Sequence, residues 1–395
     1  MTRMRKRIYG IIARCLTAIV RPRKKHWVFG CNMGKTYGEG PRCIMEYVVN
    51  HDPSIRCTWI TMNRDVYNYC KEKHIRCYMN ISLRGVWEIV KSDVVFTSHS
   101  AADIYFSYKR TGRTSLYLIH GQATKASRCA ATVGYYINLY GISWLKPSLK
   151  KYLGGFFQDG AWAIESDFVS YTSDFVKEQT HYCFPEKVES KILGSPRIDI
   201  MFDKKKIYNE FFDQFKDKLI VTYMPTHRLF GKGELSPILF INSPEKQKWL
   251  KENNVVILIK QHPNMIPLIN EEQNTGTIID ITKCEFDSMI IAANSDVLIS
   301  DYSSIWLEYI ILQRPLAHFI YDDFAIKDQG IFEEMYQYPG INMYYNEEDL
   351  FEFVKKCKLD YEKMRPRKET VSLFHKYIDG NSSKRYYDEL IKIYR

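Results

Sequence analysis

Three polar clusters in the second half of this 395-residue sequence each follow a short apolar run: Tyr223-Met-Pro-Thr226-His227-Arg228, Lys260-Gln-His262-Pro263 and Ser300-Asp301-Tyr302-Ser303-Ser304. The last is the most informative. Val297, Leu298 and Ile299 read as a strand covered on both faces, and Ile305, Trp306, Tyr309 and Ile310 recur at helical spacing, so the polar residues fall in a tight strand-to-helix turn. Backbone N–H groups at a helix start favour an anion, and the hydroxyls of Ser303 and Ser304 add donors without bulk. Capping alone is the plainer reading of Asp301 and Ser303. Thr226 and the Arg228 guanidinium suit phosphate oxygens for a related reason, a hydroxyl and a planar cation at a strand end. Three successive strands that end in anion-binding chemistry point to a phosphate site, because a purely structural account needs three coincidences on one rim.

The first half adds two clusters. In Leu118-Ile-His120-Gly121-Gln-Ala-Thr-Lys125 a strand ends on a histidine, which near its ordinary pKa can take a proton from an attacking hydroxyl, while Gly121 admits a close approach. A hydrogen-bonded structural histidine is the other reading. Gly30-Cys-Asn-Met-Gly34-Lys35-Thr36 looks like a phosphate-cradling NTPase loop but has three residues between its glycines where that loop needs four. An NTPase is therefore rejected. What remains is a glycine-rich loop through Arg42, opening a helix from Cys43 to Val49 and serving either as an acceptor site or as a turn.

These clusters need strands to carry them. Short β-rich runs alternate with helical patterns from His26 onward: His26–Gly30, Cys57–Thr61, Val94–Thr97, Ser115–His120, Phe168–Thr172 and Lys191–Gly194, then Leu219–Met224, Val255–Lys260, Asp296–Ser300 and Leu316–Tyr321. Strands separated by helices imply parallel sheets with right-handed crossovers, whose ligands bind at the carboxyl ends of the strands. A polar, charged stretch at Phe202–Lys218 separates the two series and places a boundary near residue 215. The expectation is α/β, two Rossmann-like units facing a cleft, 26–215 and 216–365. A helical segment at 366–395 would pack back on the first.

Composition bounds the rest. A chain of this length with 45% hydrophobic residues exceeds the size at which a single core stops growing. The scattered cysteines contain no Cys-x-x-Cys pair, and the histidines form no His-x-x-x-His or His/Cys cluster, so a structural zinc site is not expected. Without a signal peptide, reduced thiols in a cytosolic compartment are expected. Nine of the ten net positive charges lie in residues 1–25, leaving a balance of +1 for the remainder. Within that segment Ile8, Ile11, Ile12, Cys15, Leu16, Ile19 and Val20 form one apolar stripe among cations, and Pro22 ends it. About 13 residues fall short of the roughly 20 that span a bilayer, but suit a helix lying in an anionic membrane surface. A presequence, an uncleaved signal and a helix packed on the body are the alternatives. A nucleic-acid arm has no need of the stripe.

Together the motifs resemble the CDP-glycerol glycerophosphotransferase family, the teichoic acid primases and polymerases. The matching pieces are Gly34-Lys35 with Tyr37 and Pro41-Arg42, His120-Gly121, Gly194-Ser-Pro196-Arg197-Ile-Asp199, Pro225-Thr226-His-Arg228, His262-Pro263, and Ser300-Asp301-Tyr302-Ser303-Ser304-Ile305 with Pro315 and Tyr321-Asp322; Gly330 and Pro339-Gly340 look like the closing loop. Their order is right from about residue 27 to 345. Two departures are Gln122-Ala123-Thr124-Lys125, where the family usually has Thr-Pro-Leu-Lys, and Glu308, where aspartate is common.

The resemblance implies a GT-B fold and transfer of a polyol phosphate, glycerol phosphate first, from a CDP-polyol to a hydroxyl of a lipid-linked or polymeric surface glycan in teichoic acid or capsule-type synthesis, with CMP released. It implies catalytic roles for His120 and His262, and substrate contacts from Gly121, Thr226, Arg228, Asp301, Ser303, Ser304, Lys35, Arg42 and Arg197. No Asp-x-Asp motif is present, so no tightly bound cofactor or metal is expected, and Mg2+ would ride loosely on the pyrophosphate. Two rivals are a GT-B glycosyltransferase using a nucleotide sugar and a non-enzymatic membrane-surface scaffold.

Overall fold

The computed structural model describes residues 19–99, 101–104, 113–119, 121, 166–180, 188–226, 237, 239–261, 269, 276–322, 333–338 and 340–395, with residues 9, 12 and 15–17. Among the described residues, thirteen strands form two parallel sheets. The first contains β1 (His26–Phe29), β2 (Arg56–Thr61), β3 (Cys77–Met79), β4 (Val94–Thr97), β5 (Thr114–Tyr117), β6 (Phe168–Tyr171) and β7 (Glu189–Ile192), in the order β3-β2-β1-β4-β5-β6-β7. The second contains β8 (Leu219–Met224), β9 (Val255–Ile259), β10 (Ile278–Asp280), β11 (Val297–Ser300), β12 (Leu316–Phe319) and β13 (Asn342–Tyr344), ordered β10-β9-β8-β11-β12-β13. In each sheet the order reverses beside the first strand, which creates the crevice where open parallel sheets hold ligands.

The apolar runs behave as strands buried on both faces must. Val297, Leu298 and Ile299 are wholly excluded from solvent, and β11 pairs with both β8 and β12. Three strands escape the sequence reading: β3, β10 and β13. Each has three residues and lies at a sheet edge, so each has one neighbour and carries a weak apolar signal. A second difference is the helix after the glycine-rich loop, which runs Glu39–His51, four residues earlier than Cys43. Pro41 lies inside its first turn, where a missing N–H removes no helical bond. Strand β5 ends at Tyr117, before His120.

At the chain's end the Ser382–Leu390 helix lies on the first sheet. Tyr386 and Leu390 are buried in the core with Trp27, Phe29 and Phe96. Tyr394 accepts a hydrogen bond from Trp27 Nε1 at 2.7 Å and donates to Asp93 Oδ2 at 2.7 Å. Near the start, residues 9, 12, 15–17 and 19 have helical backbone, and Tyr9, Leu16 and Val20 pack against Val86, Ile89 and Val90. Part of the apolar stripe therefore rests on the protein's own core, while Ile12 and Ile19 face solvent, Ile19 at 78% exposure. Among the described residues, no helix is long and apolar enough to cross a membrane.

Candidate functional site

The turn after β11 is built around one carboxylate. Asp301 Oδ1 accepts from Thr226 N at 2.8 Å, Thr226 Oγ1 at 2.5 Å and Ser303 N at 3.1 Å. Because Thr226 follows β8 and Asp301 follows the adjacent β11, this cap locks two strand ends into one rim. Ser300 Oγ donates to Met224 O at 2.7 Å and closes the same junction. His318, on β12, sits beneath it with Nδ1 2.7 Å from Asp301 O. Burial pushes this imidazole down to about 4, so the ring is neutral and its Nδ1–H donates to the carbonyl. Ser303 and Ser304 remain half-buried at the rim, with Ser304 at the start of the Ile305–Tyr309 helix. Trp306, wholly buried behind them, stacks edge-on to His318 and Phe374 and donates to Tyr336 Oη.

The end of β9 is fixed by a buried cation. Lys260 Nζ donates to the carbonyls of Ile281, Thr282 and Cys284 at 3.3, 3.1 and 2.6 Å, and Gln261 N donates to Thr282 Oγ1. Burial lowers the pKa of this ammonium. The three carbonyls replace the water it lost. His262, Arg228 and His120 lie outside the described residues.

On the opposite side the glycine-rich loop follows β1 as a cradle of unusual backbone. Asn32, Met33, Gly34 and Glu39 all have positive φ. Asp103 holds it in place: its carboxylate accepts from Met33 N, Ser98 N and His99 N at 2.7, 2.6 and 2.9 Å. Lys35 is exposed, and its carbonyl accepts from Asn63 Nδ2. Arg42 lies over the Tyr37 ring and donates to Glu46 Oε1 at 2.7 Å, which keeps its charge strongly favoured.

The two sides meet at Gly121. A Cβ on that glycine would stand 2.5 Å from Ser304 Oγ and 3.8 Å from Arg197 Nη1, so the loop after β5 runs directly against the turn after β11. Arg197, from the Pro196–Phe202 turn, donates to Ser288 Oγ at 3.0 Å and lies 3.4 Å from Glu308 Oε1. The structure thus groups Gly121, Ser304 and Arg197 at one seam, and Thr226, Asp301 and Ser303 on the adjoining rim. Its neighbours in the same motif have other partners. Gly194, at φ +84, lets Ser382 come close, and the Asp199 carboxylate caps the last helix through Ser382 N and Ser383 N at 2.9 and 2.7 Å.

Sequence reasoning passed over Glu39, Asp103 and the engagement of Glu308. Glu39 carried one available signal, a carboxylate set between Gly38 and Gly40 in a loop already singled out. Burial pushes both Glu39 and Glu308 up to about 7, against the pull of Arg197. Among the described residues, no group of three or more His, Cys, Asp or Glu side chains could hold a metal ion.

A sequence profile of the CDP-glycerol:poly(glycerophosphate) glycerophosphotransferases matches residues 13–392. The chain belongs to this glycerophosphotransferase family. Among curated proteins, it is 26% identical over 238 residues to the teichoic acid ribitol-phosphate polymerase TarK of Staphylococcus aureus, covering 56% of this chain and 46% of that protein. A teichoic acid poly(glycerol phosphate) polymerase of Bacillus spizizenii is 22% identical and aligns over 98% of this chain and 96% of its own length. The match to the S. aureus protein thus spans about half of that protein's length. The solved wall teichoic acid polymerase TagF superposes with a TM-score of 0.71 at 19% identity, covering 98% of this chain and 92% of the other. The chain therefore has the GT-B fold, with two Rossmann-like units.

Proposed function

We propose that this protein transfers a polyol phosphate, glycerol phosphate first, from a CDP-polyol to a hydroxyl of a lipid-linked or growing surface polymer of the teichoic acid or capsule type. The observation that carries this reading is the meeting of Gly121 with Ser304. It sets Gly121, the residue that follows His120 in the sequence, against the hydroxyl-lined turn after β11. His120 takes the proton as the acceptor oxygen attacks the polyol-bearing β-phosphorus. The new P–O bond forms, the bond from that phosphorus to the bridging oxygen breaks, and CMP leaves with the electron pair. Ser303, Ser304, Arg228 and His262 offset charge on the pyrophosphate and the departing CMP, since phosphoryl transfer depends mainly on positioning and electrostatics. Lys35, exposed in the glycine-rich loop, and Arg42, early in the helix that follows it, would contact the acceptor. Mg2+ would be carried by the pyrophosphate, held by its own oxygens.

The site of action is the cytoplasmic face of the membrane, with the protein bound peripherally. The nine cations and no acids of residues 1–25 suit anionic lipid, and the exposed Ile12 and Ile19 suit its surface. Relatives named for ribitol phosphate and for glycerol phosphate polymers support a CDP-polyol over a nucleotide sugar as donor.

The test is CMP release from CDP-glycerol, CDP-ribitol and a panel of nucleotide sugars, with washed membranes as acceptor source and His120→Ala as control. Release from a CDP-polyol that disappears in the variant is the expected result and names the polyol. Turnover only with a nucleotide sugar would overturn the reading.

A further inference from the structure

Arg197 is placed where it can set how closely the two halves of the site approach. It arises from the turn after β7 in the first unit, yet its polar partners belong to the second. Nη2 donates to Ser288 Oγ at 3.0 Å, and Nε faces Glu308 Oε1 at 3.4 Å. Glu308 lies on the helix that Ser304 opens. Nη1 lies 3.8 Å from the Cβ position of Gly121, which is itself 2.5 Å from Ser304 Oγ. One guanidinium therefore borders the loop after β5 and is paired to the helix behind the turn after β11.

A second carboxyl lies within electrostatic reach of this cation. Glu39 opens the Glu39–His51 helix of the first unit at φ +57, a conformation that side chains other than glycine rarely adopt. Its Oε2 is buried without a hydrogen-bond partner, as are Glu308 Oε1 and Arg197 Nε. A guanidinium and two nearby carboxyls with hydrogen-bonding capacity unused on all three are not the arrangement a purely stabilising ion pair favours; that pair is bidentate and satisfied. Asp287 and Asp103 oppose ionisation of Glu39, and Asp287 also opposes that of Glu308 and strengthens the charge on Arg197.

We propose that Arg197, paired with Glu308 and bonded to Ser288, is a positioning residue for the transfer reaction that fixes the distance between Gly121 and Ser304. Nη2 and Nε are turned to Ser288 and Glu308, so it acts on the substrates through the two segments it ties together. The proposal rests on the phosphotransferase reading for its kinetic consequence and on geometry alone for its structural one.

Both consequences are measurable. In CMP-release kinetics, Arg197→Met is expected to lower kcat on the order of 100-fold, the scale of a misplacement of about 1 Å between reacting groups, with the donor KM nearly unchanged. Arg197→Lys keeps the charge without the fork and restores part of the loss, while Glu308→Gln lowers kcat in the same direction. A raised donor KM with kcat intact would overturn the proposal in favour of direct donor binding. Wild-type kinetics in Arg197→Lys and Glu308→Gln would overturn it in favour of a purely structural role, and both variants are close enough in size to fold if Arg197→Met does not.

The structural arm needs no turnover. Gly121→Cys combined with Ser304→Cys places two Cβ atoms close to the separation a disulfide uses. Rapid formation of that bond is expected with Arg197 present and slow formation in Arg197→Lys, followed by peptide mapping. An unchanged rate overturns the inference even where no CDP-polyol is turned over, and so separates its failure from failure of the functional reading.

Discussion

Replacing Asp301 tests whether the donor-side rim is held by one oxygen atom. Oδ1 accepts three hydrogen bonds, from Thr226 N, Thr226 Oγ1 and Ser303 N, at 2.8, 2.5 and 3.1 Å. Asp301→Ala removes the acceptor and leaves two backbone donors and a hydroxyl without it. Bonds to a charged group contribute about 1.5–3 kcal/mol each, and the threonine hydroxyl can rotate to a new partner, so the expected cost is about 3–5 kcal/mol. Asp301→Asn retains an oxygen that can occupy the Oδ1 position and accept the same three donors, losing only charge assistance, about 1 kcal/mol. Urea unfolding followed by tryptophan fluorescence reads the difference, because Trp306 is wholly buried directly behind the turn. With a slope of about 3 kcal/mol/M, the alanine variant should shift the transition by roughly 1–1.7 M, and the asparagine variant by about 0.3 M. Equal shifts would refute the single-oxygen clamp. An asparagine variant of nearly wild-type stability that had lost turnover would refute the structural account of Asp301 and place its charge on the substrate.

Further outcomes follow from the same geometry. Gly121→Ala drives a Cβ to within 2.5 Å of Ser304 Oγ, so CMP release should fall about tenfold, and adding Ser304→Ala should recover part of the lost stability by removing the obstructing atom. Glu39 and Glu308 titrate near 7 when folded and near 4.5 when unfolded, so folding retains their protons. Their contribution is full below about 4.5 and is lost as pH rises towards 7, and thermal melts of Glu308→Gln should show a shallower decline over that window. His318 and His375, each pushed down to about 4 by burial, act oppositely: their contribution is present above 6.5 and lost as pH falls through 4. Asp199→Ala uncaps Ser382 and Ser383 and should cost about 2 kcal/mol, read as faster proteolysis within the Ser382–Leu390 helix.

Much of the fold was legible because its strands are apolar runs punctuated by polar ends. Val297 to Ile299 could be read as a doubly covered strand from three consecutive side chains, and the structure buries all three. β3, β10 and β13 were not legible, since an edge strand of three residues differs little in composition from a loop. At the site, the position of Ser303 and Ser304 in a turn between strand and helix was readable from local spacing. The partner of Asp301 was not, because Thr226 lies 75 residues away.

What the sequence determined by itself is the alternation of strand and helix, the parallel sheets that follow from it, the location of the basic charge, and the order of motifs that marks the family. These depend on local periodicity and on residue types at short spacing. Only the tertiary structure decided which charged groups face one another. Arg197 and Glu308, 111 positions apart in the numbering, meet at one seam within electrostatic reach of Glu39, and Tyr394 closes onto Trp27 from the far end of the chain. A side chain's charge is written in the sequence, but its partner is set by how two sheets pack, and burial at that seam is what moves both carboxyls to about 7.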